Sequence, residues 1–232
     1  MEQAKRASAR RLILGGACWI ATLEFFAAQA IAQAAWRGPG YSLAGNAISD
    51  LGVTACGRIS IAGQPGYYCS PLHALMNASF VATGILMIAG LYLTAAIWPA
   101  GRLARWGIGL FTLAGMGKVL VGLAPGNVNY GLHALGGLGI IAANIGMLLL
   151  GSAMSETKDR WIARLSWSLG ILGLIGEAFF LAHRAFGGAG LAERIADYPA
   201  FAWLLILGVG CIRRARDPGG KAAAIAPLRT SA

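Results

Sequence analysis

The chain has 232 residues, 57% of them hydrophobic and only 12% charged, with a formal net charge of +10. Soluble domains carry nearer a quarter charged residues, so this composition excludes an ordinary water-soluble fold, and no stretch between the apolar runs is long enough to build a core of its own. The basic excess would suit a polyanion partner, but its placement follows a membrane topology and outlines no groove for nucleic acid.

Six apolar runs are long enough, or nearly so, to cross a bilayer of about 30 Å at about 1.5 Å per helical residue. They cover residues 12–36, 73–98, 106–124, 132–154, 163–186 and 199–212. The sequence therefore predicts an all-α polytopic membrane bundle of six transmembrane helices occupying residues 1–216, with a disordered tail over 217–232. The first run is longer than a signal-peptide core and five more spans follow it, which reads as a retained helix.

Charge fixes the expected orientation. Lys5, Arg6, Arg10 and Arg11 precede span 1, and Arg102 and Arg105 separate spans 2 and 3. Lys158, Arg160 and Arg164 surround the connection between spans 4 and 5, and Arg213, Arg214, Arg216, Lys221 and Arg229 follow span 6. That places 14 of the 19 basic residues on one side, so both termini are expected in the cytoplasm, in a bacterial inner membrane, with membrane lipids as neighbours. Trp36, Trp203 and Tyr198 at the outer side, with Trp98, Trp106 and Trp161 at the inner side, suit aromatic belts.

The elaborate sequence lies on the outer side. The first outer loop, residues 37–72, is rich in Gly and Pro and is unlike one long helix. It is apolar enough (Leu43, Ile48, Leu51, Val53) to pack back over the bundle or to carry a function. Cys56 and Cys69 lie 13 residues apart within it, and an oxidising compartment would join them as a disulfide. Cys18 and Cys211 fall in spans and read as small buried apolar residues.

Two segments share P-G-x5-L-H-A-L at an offset of 60 residues, from Pro65 and from Pro125. Each leads into an outside-to-inside helix, which suggests a duplicated hairpin, spans 2–3 and 4–5, about an axis along the membrane normal. The repeat puts His73 and His133 at equal depth at the outer ends of their helices. His183, the third and last histidine, falls near the outer end of span 5. Three imidazoles in one layer could ligate zinc or another transition metal and leave a position open for water, or do acid–base work near neutral pH. The plain alternative is that each histidine caps a helix end.

Residues 46–52 read N-A-I-S-D-L-G. Asp50 either closes an Asx-type turn or enters the bundle mouth to meet the histidines as ligand, orienter or base, with Ser49 a nucleophile if a histidine reaches it. Asn46, Asn77, Asn129, Arg184, Glu193 and Arg194 are the expected substrate-binding surroundings. Arg194, in residues 187–199 read as the last outer loop, and Arg184 just before it could hold a lipid phosphate, or the charges of that loop could form weak solvated pairs.

Three ionisable residues fall inside spans: Glu24, Lys118 and Glu177, at depths of about 18, 9 and 14 Å by helical rise. Intramembrane charges seek partners or watery cavities. A Lys118–Glu177 pair is expected, either locking two helices or relaying protons. The Gly-rich spans suit close helix packing, and the phosphate-loop, zinc-protease, nucleophile-elbow and C-x-x-C motifs do not occur.

I-S-D-L-G after span 1, a His-led second span, P-G-x-x-N before span 4 and G-L-x-E-R before span 6 together resemble an uncharacterised bacterial family of six-span membrane proteins, the domain of unknown function numbered 998. That resemblance implies topology and no activity. Ile48, Ser49, Asp50 and Gly52 are also similar to the first-loop motif of the Frag1/DRAM/Sfk1 six-span proteins, which implies lipid handling. Ser, Asp and three His at one face resemble the alkaline ceramidase and adiponectin-receptor class of zinc hydrolases, but the chain lacks an H-x-x-x-H pair and has six spans where that class has seven. The leading expectation is a membrane protein that binds or processes a lipid-like substrate at the outer leaflet, as a hydrolase or transferase if it is an enzyme. A proton-coupled permease using Glu24, Lys118 and Glu177 is a second reading, and a noncatalytic partner subunit, oligomeric or docked to another protein, is a third.

Overall fold

The computed structural model describes residues 2–186 and 189–217, with the side chains of residues 2 and 183–186 left out. His183 and Arg184 therefore have a helical backbone but side chains outside the described residues, and the expected disordered tail lies outside them beyond Asp217.

Eight α-helices build six spans: α1 (Glu2–Ala21) with α2 (Glu24–Ala34), α3 (His73–Leu93), α4 (Arg102–Leu123), α5 (Tyr130–Gly137) with α6 (Gly139–Met154), α7 (Arg160–Phe186) and α8 (Ala189–Arg216). All six are long and apolar enough to cross a membrane. Helix is the form these runs must take, because hydrocarbon offers no partner to an open N–H or C=O. Outward-facing Leu14, Ile31, Ile85, Leu113, Phe179 and Ile206 are all exposed, as befits a lipid-facing surface.

The spans close into a ring in chain order, each packed on the next, and α8 returns to α1. With six alternating spans, both ends of the bundle share one face. Arg214 and Asp159 pair there at 3.2 Å, tying the end of α8 to the turn before α7. The opposite face carries the long loop after α2.

Two spans are broken. In the first, Thr22 Oγ1 donates to the Trp19 carbonyl at 2.6 Å, and the next bonds tighten to i→i−3 (Leu23 to Ile20, Phe25 to Thr22). Such back-bonding bends helices. In the fourth span the break is at Leu138, between Gly137 and Gly139. Here α4 and α5 approach backbone to backbone: a Cβ on Gly117 would lie 2.5 Å from the Gly136 carbonyl oxygen. Only glycine allows that contact.

The last span departs from expectation. It begins at Ala189, ten residues before Pro199, which sits inside the helix. The charges at 193, 194 and 197 suggested a solvated loop. In fact Glu193, Arg194 and Asp197 are all buried, because partners inside the protein receive them. Proline is tolerated in a membrane helix where neighbours satisfy the freed backbone, and Asn144 Nδ2 of α6 donates to the Ala196 carbonyl at 3.0 Å beside it.

The loop after α2 adds a 3-10 turn and a β-hairpin to the α-helical bundle. Ile48–Gly52 is a turn of 3-10 helix whose Ile48 and Leu51 pack with Phe25, Met76 and Phe80 in the core nearer this face. Strands β1 (Cys56–Ile61) and β2 (Gln64–Cys69) then form an antiparallel hairpin. Ala62 and Gly63 both have positive φ, 52° and 76°, as a mirror-image two-residue turn requires. Cys56 and Cys69 are opposed in this register and form the expected disulfide.

The second core cluster lies nearer the chain ends. Its centre is Trp203, stacked on Trp98 at 5.8 Å and tilted against Trp19 and Phe111. Trp203 is therefore no belt residue: it is fully buried, and its Nε1 donates to Ser166 Oγ at 2.8 Å.

Candidate functional site

The first turns of α8 organise the hairpin face. Gly190, Glu193, Arg194 and Asp197 lie at i, i+3, i+4 and i+7, one face of a helix. Arg194 uses one terminal nitrogen for the carbonyls of Leu43 (2.9 Å), Asn46 (2.9 Å) and Gly190 (2.8 Å), and the other for the Tyr41 hydroxyl (2.7 Å). Its two terminal nitrogens therefore clamp the loop, while its buried Nε has no hydrogen-bond partner. Glu193 accepts the backbone N–H of Ile48.

Asp50 closes the 3-10 turn. Its Oδ2 accepts from the Ala47 N–H at 3.0 Å and from Asn46 Nδ2 at 3.1 Å. Burial pushes its carboxyl up to about 6, against the downward pull of those two hydrogen bonds and of nearby Arg194. Burial likewise raises the Tyr41 hydroxyl, again opposed by Arg194.

The asparagines expected around a substrate serve the backbone. Asn46 Oδ1 accepts from the Ser42 N–H, Asn77 Nδ2 donates to the Gly52 carbonyl, and Asn129 caps α5 by accepting from the Leu132 N–H. Asn127 and Thr54 exchange two hydrogen bonds, which fixes the turn before α5 to the loop before the hairpin.

The intramembrane charges pair differently from expectation. Lys118 Nζ meets Asp197 Oδ2 at 2.6 Å, and both are buried. The sequence places Asp197 in the last outer loop, because the apolar run of the last span starts only at Pro199. The ammonium also lies 5.0 Å from the Phe25 ring centroid and 5.5 Å from those of Phe80 and Phe201. Glu177, the expected partner, is 7% exposed and its Oε2 has no hydrogen-bond partner. Glu24 accepts from Ser79 and Thr83 at 2.8 and 2.9 Å, so two hydroxyls of α3 serve it beside the break in span 1. Tyr198, expected in an aromatic belt, donates its hydroxyl to Gln29 Oε1 at 2.8 Å, and Gln29 is a buried polar group the sequence did not single out.

His73 is the first residue of α3 and His133 the fourth of α5; both are half-buried and both turn Nδ1 to a carbonyl: Ser70 for His73 and Ala124 for His133, each at 2.9 Å. A carbonyl only accepts, so Nδ1 carries the proton and Nε2 is the other ring nitrogen. L-H-A-L opens a helix in both copies, whereas P-G lies in β2 in the first and in a turn in the second. Among the described residues no three His, Cys, Asp or Glu side chains gather as a metal-ligand set. Ser49 has no histidine within hydrogen-bond reach among them.

A cavity of about 570 Å³ opens under the hairpin face. Ser49, Asp50, Lys118, His133, Glu177 and Glu193 supply its polar wall; His73 is not part of it. Ile140, Phe180, Leu138 and Leu181 supply apolar wall, and residues 61, 62 and 64 of the hairpin turn border it. Leu138 and Leu181 are 55% and 65% exposed, so they form a rim that also faces the bundle's lipid side. Buried charged groups and exposed aliphatic groups in one lining suit a ligand that is itself polar at one end.

The family model described as Protein of unknown function (DUF998) matches residues 19–210, from Trp19 in α1 to Gly210 in α8. The chain belongs to that family. The match spans all six membrane-crossing segments, the hairpin and the cavity, so the protein is an integral, multi-pass membrane member of it. No curated protein and no solved structure matches the chain.

Proposed function

We propose that this membrane protein binds an amphipathic, lipid-like molecule in the cavity under the hairpin, in the outer leaflet. The observation that carries the reading is the cavity's two-sided lining. Buried ionisable groups end it inside the bundle, and exposed Leu138 and Leu181 border it toward lipid. A lipid-like molecule could enter sideways between those leucines, keep its chain against aliphatic wall, and place its head among Asp50, His133 and Glu177. A site of this volume with few convergent polar groups is of the size that small-molecule sites take.

Two observations support the outward orientation of the hairpin face. Most of the basic residues lie at the opposite face, and the disulfide of the hairpin suits an oxidising compartment.

Gly137 gives a clean test. It lines the cavity, and a Cβ there would meet no heavy atom within 4 Å. Gly137→Leu should therefore fill the cavity without displacing the helices. Purified in mild detergent and weighed by native mass spectrometry, the wild type should retain a lipid-like molecule that the variant lacks, at an equal thermal midpoint. Equal retention by both proteins, or none by the wild type even after incubation with membrane lipid extract, would overturn the reading.

A further inference from the structure

We infer that Glu177 is the counter-ion for the head group of the molecule in this cavity, and that this head group is an amine bearing N–H donors on an apolar chain. The inference rests on the binding role proposed above and names the chemistry the site selects.

Four acidic groups stand in or beside the cavity, and three are engaged. Asp50 Oδ2 accepts from Asn46 and Ala47, Glu193 accepts from Ile48, and Asp197 Oδ2 holds Lys118. Glu177 is different. It sits on α7 in the cavity wall, more than nine-tenths buried, with Oε2 lacking any donor. A buried carboxylate oxygen without a donor is unfavourable, and such exceptions call for an explanation. A ligand that brings its own N–H removes the deficit.

Charge selects a cation over an anion. Lys118 is the only cationic side chain among the described lining residues, and its charge is already matched by Asp197 and faced by three Phe rings. Asp50, Glu177 and Glu193 remain on the wall with no second Lys or Arg among the described lining residues, and the one basic ring there, His133, turns its Nδ1–H to the Ala124 carbonyl. An anionic head would meet three carboxylic groups and no free cation. An ammonium would gain a charge-assisted hydrogen bond to Glu177, and the aromatic residues Tyr68 and Tyr130 line the same wall. An alcohol could donate one hydrogen bond to the carboxylate but brings no positive charge to match it, and only the ammonium ionises both partners.

The test uses three probes with one chain and different heads: dodecylamine, dodecanol and dodecanoate. Binding to the full chain in nanodiscs is measured by displacement of radiolabelled dodecylamine, with Gly137→Leu nanodiscs defining the signal from plain partition into lipid. The amine should bind at least about tenfold more tightly than the alcohol, and the carboxylate more weakly still. Glu177→Gln, which keeps shape and volume, should abolish the preference for amine while dodecanol binds it as well as it binds the wild type. Equal binding of amine and alcohol, a preference for dodecanoate, or a preference for amine that survives Glu177→Gln would overturn the inference and leave the binding role standing. A wild type that binds no probe above the Gly137→Leu signal would overturn the binding role itself. If Glu177→Gln fails to fold, the order of the three probes on the wild type decides alone.

Discussion

Replacing Lys118 by Met while keeping Asp197 should be among the most damaging single changes in the bundle. The substitution keeps the length of the side chain and removes only its charge. Lys118 and Asp197 are 8% and 4% exposed and meet at 2.6 Å, so Lys118→Met leaves a carboxylate buried without its cation. Breaking a buried pair in this way costs about 3–5 kcal/mol. The converse change, Asp197→Leu, should cost less. The ammonium would still face Phe25, Phe80 and Phe201 at 5.0 to 5.5 Å, and three such contacts at about 0.5–1 kcal/mol each retain about 2 kcal/mol. Its expected loss is therefore about 1–3 kcal/mol. Replacing both together, Lys118→Met with Asp197→Leu, removes both desolvation penalties and should lie within about 1.5 kcal/mol of the wild type. The cycle can be measured by reversible unfolding in mixed micelles, followed by the fluorescence of the seven tryptophans. The reasoning predicts a double variant more stable than Lys118→Met alone and a coupling above about 2 kcal/mol. Losses that add to within about 0.5 kcal/mol would refute it, and would mean that water reaching Lys118 through the cavity already solvates the pair.

Asp50 and the hairpin give two further expectations. Burial lifts the Asp50 carboxyl from 3.8 to about 6 in the folded state, so the folded protein holds this proton more tightly than the unfolded chain does. The stability from Asp50 is fully present below about pH 4, declines as pH rises toward 6 and is absent above that; Asp50→Asn should flatten the stability profile between pH 4 and 6, measured as thermal midpoint against pH, and an unchanged slope would count against the burial of Asp50. The disulfide closes a segment of 13 residues, for which chain entropy gives about 3 kcal/mol. Of the two strands only Cys69 is fully buried, so the Cys56→Ser/Cys69→Ser protein should keep its bundle melting midpoint within a few degrees while new proteolytic cuts appear between Thr54 and Ser70. A bundle that melts far earlier, or a hairpin that stays uncut, would contradict that division.

The sequence by itself determined what depends on solvent. Runs of about twenty apolar residues have one stable form in a bilayer, so six helices followed from hydropathy, and the start of α3 at His73 and the end of α6 at Met154 matched it to the residue. Two cysteines in one loop sufficed to suggest their bond. The hairpin between them was missed although it left a signal: R-I-S-I alternates and A-G supplies a turn, in a loop read only for its Gly and Pro. Tertiary structure decided every polar partnership. Glu193, Arg194 and Asp197 look like a hydrated loop until the segment after α2 supplies Tyr41, Leu43, Asn46 and Ile48 and α4 supplies Lys118; their spacing at i, i+3, i+4 and i+7 from Gly190 was the available clue. Depth along the membrane allowed Lys118 to meet Glu177, but depth is one coordinate, and rotation of each helix about its axis chose Asp197. The same rotation left Glu177 without a donor in the wall of a cavity. No one-dimensional pattern encodes that void, because it is bounded by α4, α5, α6, α7, α8 and the hairpin turn together.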